Sequence, residues 1–386
     1  MKAKSIHGDS AQQIKMALEQ SRLDGFTPTL AIVFISVQQN RQALCELLKQ
    51  HDIDILGATS AGEFIDGYES NAETAILLLD ISRENYRLSF YKTKNTAVAM
   101  VAKQATEKAL QAFSHPAFII CSTSISEAGE MFAGGTLIHS IQQKAGLDSP
   151  VFGAMAGDDG MLKGSYVFTN DESTDEGFIM LAFNSDNITL HGMAISGWKP
   201  MGKIRTVTKA ADDWMYELDD QPALDMYLRY LGQSLRTGED VERAVFAEEI
   251  GLFYPFMSIG AGEPTLRTPM EVSKEKNAIK LDIPIPEGKQ LQFTLPPDFD
   301  IVETVLDNAS KLKERENATA DALLVFSCLG RRSALGPMVS DENEGLHKIW
   351  NVPMAGFFSY GEYGNDPESN HVVHSTTCSW VALKEK

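Results

Sequence analysis

Three segments of this 386-residue chain share one pattern, and that recurrence limits the architectures open to the rest. Residues 353–364 read Pro-Met-Ala-Gly-Phe-Phe-Ser-Tyr-Gly-Glu-Tyr-Gly, residues 54–64 Asp-Ile-Leu-Gly-Ala-Thr-Ser-Ala-Gly-Glu-Phe, and residues 150–159 Pro-Val-Phe-Gly-Ala-Met-Ala-Gly-Asp-Asp. In each, a short apolar run meets a glycine, crosses small, hydroxyl or aromatic residues, and reaches a second glycine followed by a carboxylate. The glycines are Gly57 and Gly62, Gly153 and Gly157, Gly356 and Gly361; the acids are Glu63, Asp158 and Glu362. Glycine inside a strand gives up packing and backbone entropy, so its repeated use marks a bulge, or a close approach by a ligand or another chain segment. The neighbouring carboxylate can hold an amine, a hydroxyl or an arginine. Singly, each copy reads as a strand-to-turn device with a solvated acid. Together they point to a shared pocket.

The length is comfortable for two domains. A net charge of -19 repels phosphate backbones and anionic lipid alike, and no basic patch offsets it, so neither nucleic acid nor membrane is an expected partner. The amino terminus passes from two lysines into polar residues, and no apolar run approaches the roughly 20 residues of a membrane span. A cytoplasmic location is expected. Cys45, Cys121, Cys328 and Cys378 lie far apart, which suits reduced thiols rather than a C-x-x-C pair or a disulfide scaffold.

Along the chain, strands and helices alternate through the first half: apolar strand-type runs at 30–36, 53–57, 75–80, 87–91 and 117–121, and helical spacing at 41–49, 98–113 and 131–145. Residues 165–169, 177–183, 188–196 and 204–208 then read as consecutive antiparallel strands. Asp219-Asp-Gln-Pro222 marks a domain boundary. Beyond it come a helix with proline in its first turn and Gly232 as its cap, strands at 250–259, 278–283 and 290–295, a helix at 301–314, a strand at 322–328, a helix at 338–349 and a strand at 376–383. The expected class is α/β (α+β): an amino-terminal segment 1–29 and two related domains, 30–220 and 221–386, each a mixed sheet with strand meanders and packed helices.

These residues resemble the FIST family, bacterial sensory modules with an N-terminal and a C-terminal FIST domain, over roughly residues 30 to 375. The resemblance rests on Gly-Ala-Thr-Ser-Ala-Gly-Glu at 57–63, Val-Phe-Gly-Ala-Met-Ala-Gly-Asp at 151–158 and Gly-Trp-Lys-Pro-Met-Gly at 197–202. It rests also on Tyr-Glu-Leu-Asp-Asp-Gln-Pro-Ala-Leu at 216–224, Cys-Leu-Gly-Arg-Arg at 328–332 and Gly-Phe-Phe-Ser-Tyr-Gly-Glu at 356–362. It implies small-ligand sensing rather than turnover, with output through a separate histidine kinase or cyclase. A free-standing chain is similar to the haem-containing, nitric-oxide sensing members; other members are thought to bind amino acids or similar solutes. The resemblance leaves oligomeric state open.

In open α/β sheets ligands sit beyond the carboxyl ends of strands, where Cys121, Ser122, Cys328, Arg331 and Arg332 are expected. Either arginine could grip a ligand carboxylate with two parallel bonds, with Glu362 or Glu63 receiving an amine and Gly62, Gly157, Asp158, Tyr360 and Gly361 completing the walls. The alternative is an arginine that only ties two loops together. Haem b needs an axial ligand, and the candidates are His374, His371 and His191. The spacing of His371 and His374 matches a helical metal pair, but the intervening valines favour a strand, which points the two rings to opposite faces. For each, a structural histidine is the competing reading. A cysteine-dependent enzyme using Cys121 or Cys328 is a further alternative, set against the absence of an elbow, zinc or phosphate-loop signature. The expectation is a binding protein, not an enzyme.

Overall fold

The computed structural model describes residues 1–232, 250–260, 265–365 and 371–386, with backbone alone at 371 and 372. The fold is α/β with mixed sheets, and the chain divides into two compact units. Unit 1 comprises Met1–Ile195, Val302–Leu329 and Pro337–Lys386; unit 2 comprises Ser196–Ile301 and Gly330–Gly336.

Unit 1 uses one supersecondary pattern three times. The first copy runs β1 (Lys2–Gly8), α1 (Ala11–Ser21), β2 (Leu30–Ile35), α2 (Arg41–Gln50), β3 (Asp54–Thr59), the hairpin β4 (Glu63–Ile65) and β5 (Tyr68–Ser70), and β6 (Thr74–Asp80). The second runs β7 (Tyr86–Lys92), α3 (Val98–Ala112), β8 (Pro116–Ser122), α4 (Gly134–Ala145), β9 (Val151–Met155), the hairpin β10 (Val167–Phe168) and β11 (Ser173–Thr174), and β12 (Gly177–Asn184). The third opens with β13 (Ile188–Ile195), after which unit 2 is inserted.

Unit 2 contributes β14 (Pro200–Ala211), β15 (Trp214–Leu218), β16 (Gln221–Pro222), α5 (Ala223–Leu231), β17 (Phe256–Ile259), β18 (Thr265–Arg267), β19 (Pro269–Ser273), β20 (Ala278–Leu281) and β21 (Gln290–Thr294). The third copy resumes at α6 (Asp300–Arg315) and β22 (Ala322–Cys328). After α7 (Leu329–Leu335), most of which belongs to unit 2, it continues through α8 (Met338–Trp350), β23 (Met354–Ser359), the hairpin β24 (Glu362–Asn365) and β25 (His371–His374), and β26 (Cys378–Glu385). Residues 1–29, set apart in the sequence reading, supply the first strand and helix of copy one.

Three six-stranded sheets result, in the orders β1-β6-β2-β3-β10-β11, β7-β12-β8-β9-β24-β25 and β13-β26-β22-β23-β4-β5. In each, only the third and fourth strands are parallel. The hairpin after each glycine motif leaves its own sheet: β4 pairs with β23, β10 with β3, and β24 with β9. The chain then returns home through β6, β12 or β26. This exchange corrects the expected meander. Strands β10, β12 and β13 follow one another closely in sequence, yet they bond into three different sheets and β14 goes to unit 2. Short turns allow adjacent strands to pair; here the crossing hairpins decide the partners instead.

The third strands β2, β8 and β22 are buried throughout because both sheet faces are covered. Inner faces from all three sheets form one core, in which Phe34 stacks on Phe357 at 4.5 Å and meets Phe326 edge-on at 6.0 Å. Outer faces pack on helices, as where Trp350 of α8 meets Trp380 of β26 at 5.6 Å. Local signals suffice for several helices: Ser10 and Asn40 cap α1 and α2 through Gln13 N and Ala43 N.

Unit 2 is an antiparallel sheet in the order β18-β17-β21-β14-β15-β20-β19, with β16 paired to β15. Its separate core gathers Leu224 and Tyr227 of α5 against Phe256 and Phe293. Helix α5 ends on left-handed Gly232 (φ 64°), as its sequence predicts.

Candidate functional site

The three glycine motifs do converge, and what they build is a closed junction. Their register is equivalent: Val33, Ile120 and Val325 lie opposite Gly57, Gly153 and Gly356. Four residues past the first glycine of each motif, a backbone N–H donates to the next copy. Ala61 donates to Phe358 O (2.9 Å), Tyr360 to Met155 O (3.2 Å) and Gly157 to Thr59 O (2.8 Å), closing a ring of three bonds. An aromatic ring from the crossing hairpin lies opposite each first glycine: Phe168 on Gly57, Phe64 on Gly356, Tyr363 on Gly153. A Cβ on Gly57 would stand 2.4 Å from the Phe168 ring, and one on Gly356 2.2 Å from Phe64. The close approach foreseen at these glycines is made by another chain segment, which occupies the space a shared pocket would need.

The motif acids are equally enclosed. Glu63 and Glu362 are fully buried at matching positions. Ser60 Oγ donates to Glu63 Oε1 and Ser359 Oγ to Glu362 Oε1 (2.7 Å for the latter). The second oxygens accept from Glu73 N (3.2 Å) and from Thr377 N and Oγ1 (3.3 and 2.8 Å). Burial outweighs these bonds and pushes both carboxyls up to about 8. Asp158 serves a loop instead, accepting from Leu162, Lys163 and Gly164 N and from the Tyr360 hydroxyl.

The strand-end candidates divide. Cys121 occupies the inward position held by Phe34 and Phe326 in the other copies, is fully buried, and burial drives its thiol up to about 12. Ser122 shares a hydrogen bond with Tyr363 (2.6 Å). Cys328 closes β22 beside Glu362. Arg331 is fully buried within unit 2, where it donates to Ser196 O and lies 5.6 Å over the Trp198 ring. Arg332 is half-buried. Gly62 and Gly361 sit in the junction loops, and a Cβ on Gly361 would come 2.9 Å from Met155 Sδ.

Of the histidines, His374 is buried on β25, opposite Glu362 in register. His371 has its backbone in the same strand, and its side chain lies outside the described residues. His191 faces a cleft of about 120 Å³ lined by Phe152, Leu190, Met193, Leu312, Arg315, Glu316 and Asn365. Its Nδ1 bonds Glu316 Oε2 at 2.5 Å, and Arg315 donates to Glu316 Oε1 at 3.0 Å. Burial would raise the Glu316 carboxyl, but Arg315 and His191 hold it below its ordinary value. The Asn365 Oδ1 is buried without a hydrogen-bond partner. Haem does not fit here: the cleft is well under the roughly 300–1,000 Å³ of small-molecule sites, and the His191 ring is already committed to Glu316. Glu316, with Arg315 beside it, escaped the sequence reading because its partner His191 lies 125 residues away, and no local pattern carries that contact or marks Asn365.

Two family models cover most of this chain, the FIST N domain at residues 29–221 and the FIST C domain at residues 223–365. The chain belongs to the FIST family. Domains of this family are associated with sensory signalling. The two family models meet inside unit 2, so the family boundary and the compact units do not coincide. The FIST chain is also similar to an uncharacterized protein of Methanocaldococcus jannaschii, 24% identical over 250 residues; the match covers 62% of this chain and 45% of that relative. Among the described residues no helix is long and apolar enough to cross a membrane, and no group of three or more His, Cys, Asp or Glu side chains is placed to hold a metal ion.

Proposed function

We propose that this FIST protein is a cytoplasmic sensor without turnover that binds a small polar solute in the cleft between β13 and α6. Its output passes by contact to a separate histidine kinase or cyclase. The carrying observation is the Glu316 carboxylate, held by His191 and Arg315 in a concave, partly apolar cleft. Each of its oxygens accepts one bond and keeps capacity for another, which a ligand donor can take up. Binding only the folded state raises thermal stability by mass action, by about 2.7 kcal/mol at a hundredfold excess over Kd. A melting-temperature screen of small amines, amino acids and carboxylates should therefore find compounds that stabilise the protein, with the shift lost in Glu316→Gln. A screen without a hit, or hits indifferent to that substitution, would contradict the cleft reading.

The haem-based nitric-oxide response implied by the family resemblance gains nothing from the cleft beside His191. An absorption spectrum of protein from haem-supplied cells decides it. A stoichiometric Soret band that weakens in His374→Ala or His371→Ala and shifts with nitric oxide would restore that reading in place of the one proposed.

A further inference from the structure

We infer that the free edge of β7 is a docking site for an acidic, extended segment of a partner protein, taken up as one more strand of the sheet. The surface is separate from the cleft beside His191 and stands whether or not that cleft binds a solute. β7 closes its sheet at the end opposite β25 and, among the described residues, pairs with β12. Asn184 N donates to Asn85 O and Thr93 N to Glu176 O, both at 2.9 Å, in the register of the strand between them. In an antiparallel ladder the bonds to one neighbour fall on alternate residues. Arg87, Ser89 and Tyr91 therefore bond β12, while Leu88, Phe90 and Lys92 turn their N–H and C=O groups outward. Leu88 and Phe90 are half-buried and Lys92 is exposed. Such a row is a template for an added strand. The equivalent edges of the other copies are engaged within unit 1: Ser5 of β1 donates to Asp66, and β13 lies against β24.

Charge selects the partner. Register places Lys4, Arg87 and His191 at equivalent positions in the three copies. Lys4 pairs with Asp24 at 2.7 Å and His191 with Glu316, whereas Arg87 is exposed and meets no carboxylate among the described residues. It donates instead to Arg83 O and Tyr86 O, each at 2.7 Å. Lys108 stands 5.6 Å over the Tyr91 ring and Lys92 5.7 Å over Phe90, with Lys92 also 3.8 Å from Glu172. These bases are scattered between residues 87 and 108, so no run marks them in the sequence. Tyr91 packs on the outer face of the sheet, and Leu88 and Phe90 pack on the inner core. The fitting strand alternates acids, which meet Arg87 and Lys108, with apolar side chains, which meet Leu88 and Phe90. The same charges turn away a second copy. Self-pairing centred on Ser89 sets each Arg87 opposite the other molecule's Tyr91 and beside its Lys108, like charge against like.

Fluorescence anisotropy of a labelled, alternating Glu-Val peptide with the full chain, together with amide exchange along β7, tests this. The Glu-Val peptide should bind, a Lys-Val peptide of equal length should not, and the bound state should slow exchange at Leu88, Phe90 and Lys92. Arg87→Glu and Lys108→Glu should each weaken binding by about tenfold, the worth of one charge-assisted bond. Both side chains are exposed, so the melting temperature should stay that of the parent and lost binding is not lost folding. No binding of the Glu-Val peptide, or binding that leaves those three amides unprotected, would overturn the docking edge. Equal binding of the Lys-Val peptide would overturn the choice of an acidic partner. A dimer in sedimentation that protects the same amides without peptide would make a second copy the occupant and overturn the assignment.

Discussion

Glu63 and Glu362 show how a residue type misleads until its surroundings are known. The acid after the second glycine reads in sequence as a ligand contact. In the fold it accepts from a serine three residues back and from the backbone N–H just before the returning strand, sealed from water. With both carboxyls held near 8, against an ordinary value near 4.5, the native state keeps protons that the unfolded chain releases. This stabilisation is complete below about pH 4.5 and is lost as pH rises through 8. The slope approaches roughly 1.4 kcal/mol per pH unit for each group. Urea unfolding midpoints should therefore fall between pH 5 and 8, and the double variant Glu63→Gln, Glu362→Gln should flatten that decline. An unchanged slope in the variant would mean that the two acids are ionised in the native state.

At the level of elements, much was legible where the cause is local. The Pro222 start and Gly232 end of α5, the strand at His371–His374 and the buried runs β2, β8 and β22 follow from residue order alone. Pairing was not legible, because β10, β12 and β13 take partners that no turn signal names. The glycine motifs fall between these cases: the sequence shows that something comes close, and only the crossing hairpins show that it is Phe168, Phe64 and Tyr363. Gly153 is the most demanding, since its φ of 141° is one that side chains rarely adopt and an added Cβ would sit 1.8 Å from Ile120 O. Gly153→Ala should cost about 3 kcal/mol or more in denaturant unfolding. Gly135→Ala on α4, with open space around it, should change stability by no more than about 1 kcal/mol. Equal costs would remove the argument that the motif glycines are required by the junction.

Across the whole molecule, the family assignment and the repeat structure describe different things. The FIST models divide the chain once, near residue 222, while unit 1 is a threefold arrangement with unit 2 inserted after β13. The sequence displayed the threefold character in its glycine motifs, but the third copy is split by the insert, and this made the halves look like a repeat of two. The proposed sensing site lies in unit 1, at the segments that lead into and out of that insert. Hydrogen exchange of the full chain, with and without a solute that raises its melting temperature, is the most direct check. Added protection at Ile188–Ile195 and at the carboxyl end of Asp300–Arg315 is the predicted result; protection confined to unit 2, with those two segments unchanged, would contradict it.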